Sequence, residues 1–392
     1  MGYLNQDYRQ RKAYFYRMID EKKLEKELVT DETLVEKQKK LEQLFAKTIG
    51  TKFALLFGSG NHALQVGLSS IELNKNNNVL VQAFTCKQVP RIINEINNSN
   101  LVDIDETYNI DLKKAKNSIN KKTSAIQAIY SYGKAINSSE LIDFCNKNGL
   151  ELIEDCAHSL GAKNGKNVGS FGRFSIFSLR KNIPVGTGGM LCTNDKELYN
   201  AALSQKETFF TQTKNKRFKR EILTKSTVFF KKTFPNLSFP YLFLSKLGYG
   251  GEAINQELLD KFECALAISS IDSLPKIISE TISNAKLLIK ELGEEKFSFT
   301  ENSKNEINVY TRVPVYFKEP KISTTEIWGQ LQREGYETGL FYKSDFELTT
   351  KNAQTNFAFS KKAANHMVPI GVQGLNKEQI IALATRIKQF SK

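Results

Sequence analysis

The feature of this sequence that most constrains its fold is a series of short apolar segments, each closed by small or polar residues, that alternates with helix-like stretches. Phe53–Phe57, Val79–Ala83, Thr123–Tyr130 and Leu150–Asp155 are the apolar segments. Around them Thr33–Thr48, Lys87–Asn98 and Ser138–Lys147 read as helices, the first with Leu34, Leu41, Leu44 and Phe45 at helical spacing. Strands that alternate with helices across short connections pair in parallel, because each helix carries the chain back over the sheet. A sheet of that kind needs a core, and a chain of 392 residues, 40% hydrophobic, is long enough for more than one domain of ordinary size.

In such a sheet the ligand crevice lies beyond the carboxyl ends of the strands, so the residues that close them are the candidates for chemistry. Phe57 is followed by Gly58, Ser59, Gly60 and Asn61. Small residues there let backbone N–H groups at the start of the next helix face an anion, the alternative being an ordinary glycine turn. Ile153 is followed by Glu154, Asp155 and then His158. The apolar, serine-bearing run Phe174–Ser178 leads to Lys181 and a glycine-rich turn, which places the amine on a strand end. Burial and a neighbouring cation such as Arg180 lower the pKa of a lysine and free its amine to attack an aldehyde. The alternative is a surface lysine, in a chain with 56 basic residues. A carboxylate such as Asp155 can hold the pyridine nitrogen of pyridoxal phosphate protonated, which makes that ring an electron sink.

With these segments the sequence resembles the DegT/StrS-like family of sugar aminotransferases, pyridoxal-phosphate enzymes of aspartate-aminotransferase-type fold. The resemblance runs from about Leu34 to the C-terminus and is carried by pieces in the family's order. They are FGSGNHALQVGL (57–68), VLVQAFTC (79–86), VDIDETYNID (102–111), AIYSYGKAI (128–136), EDCAHSLGAKNGKNVGSFG (154–172), FSIFSLRKNIPVGTGG (174–189) and LQREGYETGLFY (331–342). The implied architecture is α/β, fold type I of the pyridoxal-phosphate-dependent transferases. It has a large domain with a mostly parallel sheet flanked by helices and a smaller C-terminal α+β domain.

The resemblance also implies roles. Lys181 would hold the cofactor and move the proton, and Asp155 would face the ring nitrogen. Gly60, Asn61 (where threonine is commoner) and Ser178 would hold the phosphate, and His158 would lie near the ring. Cys86 stands where an aromatic residue usually stacks on the ring, so the ring is covered either by this thiol or by Phe84 moving in; otherwise Cys86 is a small buried apolar group. Typical members have their serine five residues before the lysine, whereas Ser178 lies three before Lys181, a spacing that resembles other aminotransferases of the same fold. Tyr342 is either a substrate-side residue or a packed aromatic. Asn255 falls near, but off, the position from which an asparagine reaches the neighbouring subunit's phosphate.

The activity implied is transfer of an amino group from an amino acid, glutamate being expected, to a keto sugar, nucleotide-linked, in surface polysaccharide or glycan biosynthesis, by a homodimer. Two alternatives stand beside it. One is a sugar dehydratase-like relative, although such relatives replace the lysine with histidine. The other is a catalytically weakened relative that binds a membrane surface.

Charge bears on that last alternative. The net charge is +14, and residues 206–246 carry ten basic residues against Glu207 and Glu221, with nine Phe or Tyr interleaved. A helix over Lys214–Thr233 with this composition suits either an anionic membrane surface or packing on the dimer. No recognition motif accompanies the charge, so nucleic acid is not expected as a partner. The N-terminus lacks the apolar core of a secretory signal and no apolar run reaches eighteen residues, which points to the cytoplasm. The cysteines, Cys86, Cys145, Cys156, Cys192 and Cys264, show no metal-binding spacing and are expected to be reduced thiols, with no metal site. The expected divisions are a helical arm (1–33), a large cofactor-binding domain (34–247) containing the basic insertion 206–246, interdomain helices (248–285) and a small C-terminal domain (286–392).

Overall fold

The computed structural model describes residues 14, 17–71, 73–209, 258–300, 306–339, 342–351 and 355–392. The basic insertion beyond residue 209 and Asn255 lie outside the described residues. Among the described residues, nine strands precede the insertion: β1 (Phe53–Phe57), β2 (Asn78–Gln82), β3 (Asn98–Val102), β4 (Thr123–Ile129), β5 (Glu151–Asp155), β6 (Lys163–Asn164), β7 (Lys166–Asn167), β8 (Phe174–Ser178) and β9 (Gly189–Thr193). Seven of them form one sheet in the order β1-β9-β8-β5-β4-β2-β3. Only β9 runs against its neighbours, so β1, β8, β5, β4, β2 and β3 all point their carboxyl ends to the same edge.

Both faces of this sheet are covered, as the unbroken apolar character of its central strands requires. On one face the helix Gly60–Ser70 lies across β8 and β9. It comes close enough that a Cβ at Gly67 would overlap the ring of Phe174, which is why a residue without a side chain stands there. On the other face the helix Leu34–Ile49 brings Phe45 edge-on to Phe177 at 5.1 Å. Each such buried side chain contributes about 1.5–3 kcal/mol of burial free energy. The helix starts at a capping box between Thr33 and Glu36 and stops at Gly50, whose φ of 87° is left-handed.

Part of the arm is docked onto this helix. The helix Glu21–Leu28 is followed by a turn whose Glu32, with Glu27, encloses the fully buried Lys37. The Lys37 ammonium donates to the Glu27 carbonyl at 2.7 Å and to Glu32 at 2.9 Å, and this bond holds the Glu32 carboxyl down at about 2.

The C-terminal region departs from the expected layout. Where interdomain helices are expected over 248–285, a single helix among the described residues spans Lys261–Leu292, with Pro275 inside it. A proline removes one intrahelical bond. The helix continues because Leu274, Ile277, Thr281, Ala285, Leu288 and Leu292 keep one buried stripe running through it. Strands β10 (Phe297–Ser298), β11 (Glu306–Ile307) and β12 (Val313–Phe317) follow it. Tyr310, at a left-handed φ of 45°, lies between β11 and β12. β12 pairs with β10 and with β13 (Met367–Ile370), and helices Thr324–Arg333 and Lys377–Lys388 complete this second core with the end of the long helix. β11 pairs instead with β6 from the first region, and Lys134 bonds Glu306 at 3.0 Å beside it. This contact brings the segment 308–312 against the carboxyl edge of the large sheet.

Candidate active site

At the end of β1 the chain turns through Gly58 and Ser59 into the helix Gly60–Ser70, whose first N–H groups have no partner within the helix. The Ser59 hydroxyl accepts from the His62 N–H at 3.2 Å and leaves those of Gly60 and Asn61 at the tip. The glycine-rich turn before β9 closes over this loop. Gly188 donates its N–H to the Gly58 carbonyl at 2.9 Å, and the Thr187 hydroxyl donates to the same oxygen. A Cβ at Gly189 would overlap the Ser59 backbone, and one at Gly60 would lie 3.5 Å from the Cβ of Ser178. Gly60 and Ser178 are therefore neighbours, although 118 positions separate them in the sequence. The Ser178 hydroxyl does not cap the short helix it precedes. Backbone N–H groups at a helix N-terminus beside a hydroxyl make an anion site. We expect Gly189→Ala to destabilise the fold by about 1–3 kcal/mol through overpacking, read from denaturant unfolding, and to weaken anion binding at this cradle.

At the end of β5, successive side chains point to opposite faces of the sheet. Glu154 faces inward and is spent on structure. Its carboxylate accepts from the Tyr130 hydroxyl at 2.7 Å and from the N–H groups of Gly169, Phe171 and Gly172, each at 2.8 Å. Asp155 faces the crevice, 4% exposed, held by the Ala157 N–H at 3.1 Å and the Gln127 amide at 3.2 Å. Burial raises its pKa, and the Ala157 bond, the charge on Lys181 and the Gln127 bond act against that rise.

Lys181 does not sit on the strand end, as the sequence suggested. It lies in a one-turn helix, Leu179–Asn182, just beyond β8. The turn forms because Leu179 bonds back to the Gly188 carbonyl at 3.0 Å while Asn182 bonds the carbonyls of Ala157 and Ser178, fastening the ends of β5 and β8 together. Desolvation, then the charge of Arg180, lowers the Lys181 pKa to about 8. Its Nζ lies 2.6 Å from Nε2 of His158, so the protonated amine can donate to that ring nitrogen. The Tyr342 hydroxyl stands 3.5 Å from the same nitrogen, and its ring stacks on the imidazole at an angle of 14°.

Aromatic side chains wall this crevice. Phe84 is buried edge-on against Tyr342 at 5.6 Å and Phe346 at 6.3 Å, and so is committed to packing there. Cys86 is half-buried; desolvation raises its pKa, and the nearby charge of Lys181 opposes the rise. Tyr342 is 7% exposed and packs in this wall as well as facing His158. Among the described residues, every non-glycine with a positive φ is a tyrosine: Tyr108, Tyr132, Tyr310 and Tyr342. Strained backbone of this kind collects at functional sites. Tyr132, Gln127 and Arg312 were not singled out from the sequence. Tyr132 lay within the AIYSYGKAI segment, where only the segment was recognised, and nothing local marks Arg312. Among the described residues no group of side chains could hold a metal ion.

Against known proteins, residues 22–388 match the DegT/DnrJ/EryC1/StrS aminotransferase family. The chain belongs to this family. It is 34% identical over 180 residues to the GDP-perosamine synthase of Vibrio cholerae, which covers 43% of this chain and 47% of that one. Over 363 residues it is 24% identical to the GDP-4-keto-6-deoxy-D-mannose 3-dehydratase of Escherichia coli O55:H7, covering 86% and 90%. Its fold is that of a DegT/DnrJ/EryC1/StrS aminotransferase structure from Brucella abortus, with a TM-score of 0.75, 17% identity and coverage of 96% and 97%. The chain spans about half the length of the first curated relatives it matches, 47% and 44% of them.

The cofactor of a DegT/DnrJ/EryC1/StrS aminotransferase is pyridoxal 5′-phosphate, and the residues present fit it. A helix N-terminus that lies against Ser178, an amine with a lowered pKa and a buried carboxylate whose charge acts on that amine stand at the carboxyl ends of β1, β8 and β5. Attachment requires the neutral amine, so the rate at which apoprotein takes up pyridoxal phosphate should rise about tenfold per pH unit below about 8 and level off above it. An ordinary lysine would keep gaining beyond pH 10. Stopped-flow absorbance across pH 6–10 distinguishes the two.

Proposed function

We propose that this chain is a pyridoxal-phosphate-dependent aminotransferase that passes an amino group from an amino acid, with glutamate as the donor, to a keto sugar carried on a nucleotide. The observation that supports this most is the pairing of Lys181 with His158 at 2.6 Å in a crevice where the charges of Lys181 and Asp155 act on each other. Pyridoxal phosphate bound there supplies an aldehyde for the donor's amine and an electron-poor ring that takes up the electron pair left when the donor's alpha carbon loses its proton.

This chain's own side chains do the rest. The Lys181 amine would take that proton from the alpha carbon and deliver it to the carbon that was the cofactor's aldehyde, His158 fixes where the amine points, and the Asp155 anion keeps positive charge at the far end of the crevice. The N–H groups of Gly60 and Asn61 with the Ser178 hydroxyl hold the phosphate. The tyrosine wall excludes water. Cys86, half-buried beside Lys181, takes the place of the usual stacking aromatic, since Phe84 is engaged elsewhere. The proposed divisions remain an arm, a large domain, interdomain helix and a small domain, working as a homodimer in the cytoplasm. Among the described residues no helix is long and apolar enough to cross a membrane.

A dehydratase relative aligns over most of the chain, but Lys181 retains the amine that transamination needs. Purified protein loaded with pyridoxal phosphate should lose its visible absorbance band on adding glutamate, and borohydride reduction before that addition should leave the pyridoxyl group on Lys181. Attachment at another lysine refutes the site assignment, and no response to any amino acid refutes the aminotransferase reading.

A further inference from the structure

Tyr132 is the outlier of the site. Its backbone is left-handed (φ 56°, ψ 12°), its side chain is 2% exposed, and its hydroxyl has no hydrogen-bond partner among the described residues. Buried phenols nearly always have one, so a hydroxyl held this way by unfavourable backbone points to a ligand atom as its partner. The ring lies 5.9 Å from Tyr342 and 6.1 Å from His158, whose Nε2 meets the Lys181 amine.

A cation reaches the same place from the C-terminal region. Val309 donates to the Gly133 carbonyl at 3.1 Å and Asn308 accepts from the Ala135 N–H at 2.8 Å, so the segment bearing Arg312 runs along the turn bearing Tyr132. The Arg312 guanidinium is buried, fixed by Glu337 at 2.7 Å and the Thr311 carbonyl at 2.9 Å. Burial pushes the Tyr132 phenol well up and the Arg312 charge acts against that rise; the same charge adds to the desolvation and the Arg180 charge that lower Lys181.

We infer that Tyr132 and Arg312 form the seat for the alpha-carboxylate of the amino-acid donor, the phenol donating a hydrogen bond and the guanidinium supplying the charge. This rests on the aminotransferase reading. Two anions enter such a site, the donor's carboxylate and the diphosphate of a nucleotide sugar. In an alpha-amino acid the carboxylate is bonded to the very carbon whose proton Lys181 takes, so its seat must adjoin that amine. A sugar's diphosphate hangs from the anomeric carbon, away from the keto group. The seat whose phenol ring lies 6.1 Å from His158, the partner of the Lys181 amine, therefore belongs to the carboxylate.

The test uses holoenzyme carrying Tyr132→Phe, which removes one hydroxyl and nothing else. Its KM for glutamate should rise about 10- to 100-fold, as expected for a lost hydrogen bond to a charged group. Binding of glutarate, an inert dicarboxylate, should weaken by a similar factor in calorimetry, while GDP and UDP affinity and cofactor retention stay unchanged. Arg312→Gln should do the same, and pairing it with Glu337→Gln avoids leaving a buried carboxylate alone if the single variant fails to fold. Unchanged glutamate and glutarate affinity in Tyr132→Phe overturns the seat. Loss of GDP or UDP binding with glutarate intact overturns it in favour of the diphosphate. Wild-type holoenzyme whose absorbance does not respond to glutamate would overturn the underlying reading instead, whatever the variants do.

Discussion

Lys181→Ala should lower the rate of the glutamate half-reaction by at least about 10⁴-fold, the upper range for a positioned proton-transfer group, with the fold unchanged. Lys181→Arg should lose as much, although it keeps the charge. A guanidinium stays protonated at every pH a protein tolerates, so it supplies neither a nucleophile nor a base. The comparison isolates the property that matters, an amine brought to about 8 by desolvation and by Arg180 and held against His158. The fold should tolerate either change because Lys181 is half-buried on a turn that is secured by other bonds, those of Leu179 and Asn182. Single-turnover absorbance with glutamate measures the effect; a loss smaller than tenfold would mean that another group moves the proton.

Much of this arrangement was legible before any coordinates. Strands β1, β2, β4 and β5 and the helices expected over Thr33–Thr48, Lys87–Asn98 and Ser138–Lys147 fall within a residue or two of where hydrophobic periodicity places them, because a sheet covered on both faces writes its core into local runs such as Phe53–Phe57 and Leu150–Asp155, whereas the mostly polar edge strand β3 (Asn98–Val102) carries no such run. The strand-end rule then pointed to Asp155 and Gly60 without knowledge of any neighbour. What local pattern could not carry was set by distant partners. Lys181 sits on a helical turn because Leu179 bonds Gly188 across the glycine-rich segment. The helix Lys261–Leu292 continues through Pro275 because its stripe is buried first against the large sheet's core and then against the second one. Tyr132 and Arg312 were missed for a sharper reason. A left-handed tyrosine has no local sequence mark, since such positions favour glycine and asparagine. The segment bearing Arg312 comes against the turn bearing Tyr132 through Val309 and Asn308, next to where β11 crosses to pair with β6.

Asp155→Ala should cut turnover by about 10³-fold or more, the scale on which losing a fixed charge partner acts in a dry site, while the protein stays folded. Asp155→Asn is the finer probe. Its amide oxygen still accepts from the Ala157 N–H, and its NH2, standing where the second carboxylate oxygen was, donates to the Gln127 side-chain oxygen once that amide turns over, so the shape survives and the negative charge goes. Equal losses in the two variants would place the effect in that charge. The same charge leaves a second trace, at Lys181. The Asp155 anion raises the Lys181 pKa, opposing desolvation and Arg180, so removing it should take the amine further below about 8. The midpoint of the pH profile for cofactor attachment should therefore move to lower pH in both variants, even as turnover collapses. A profile that stays in place would mean the carboxylate and the amine do not share one crevice, and unchanged turnover in Asp155→Ala would remove the carboxylate from the chemistry altogether.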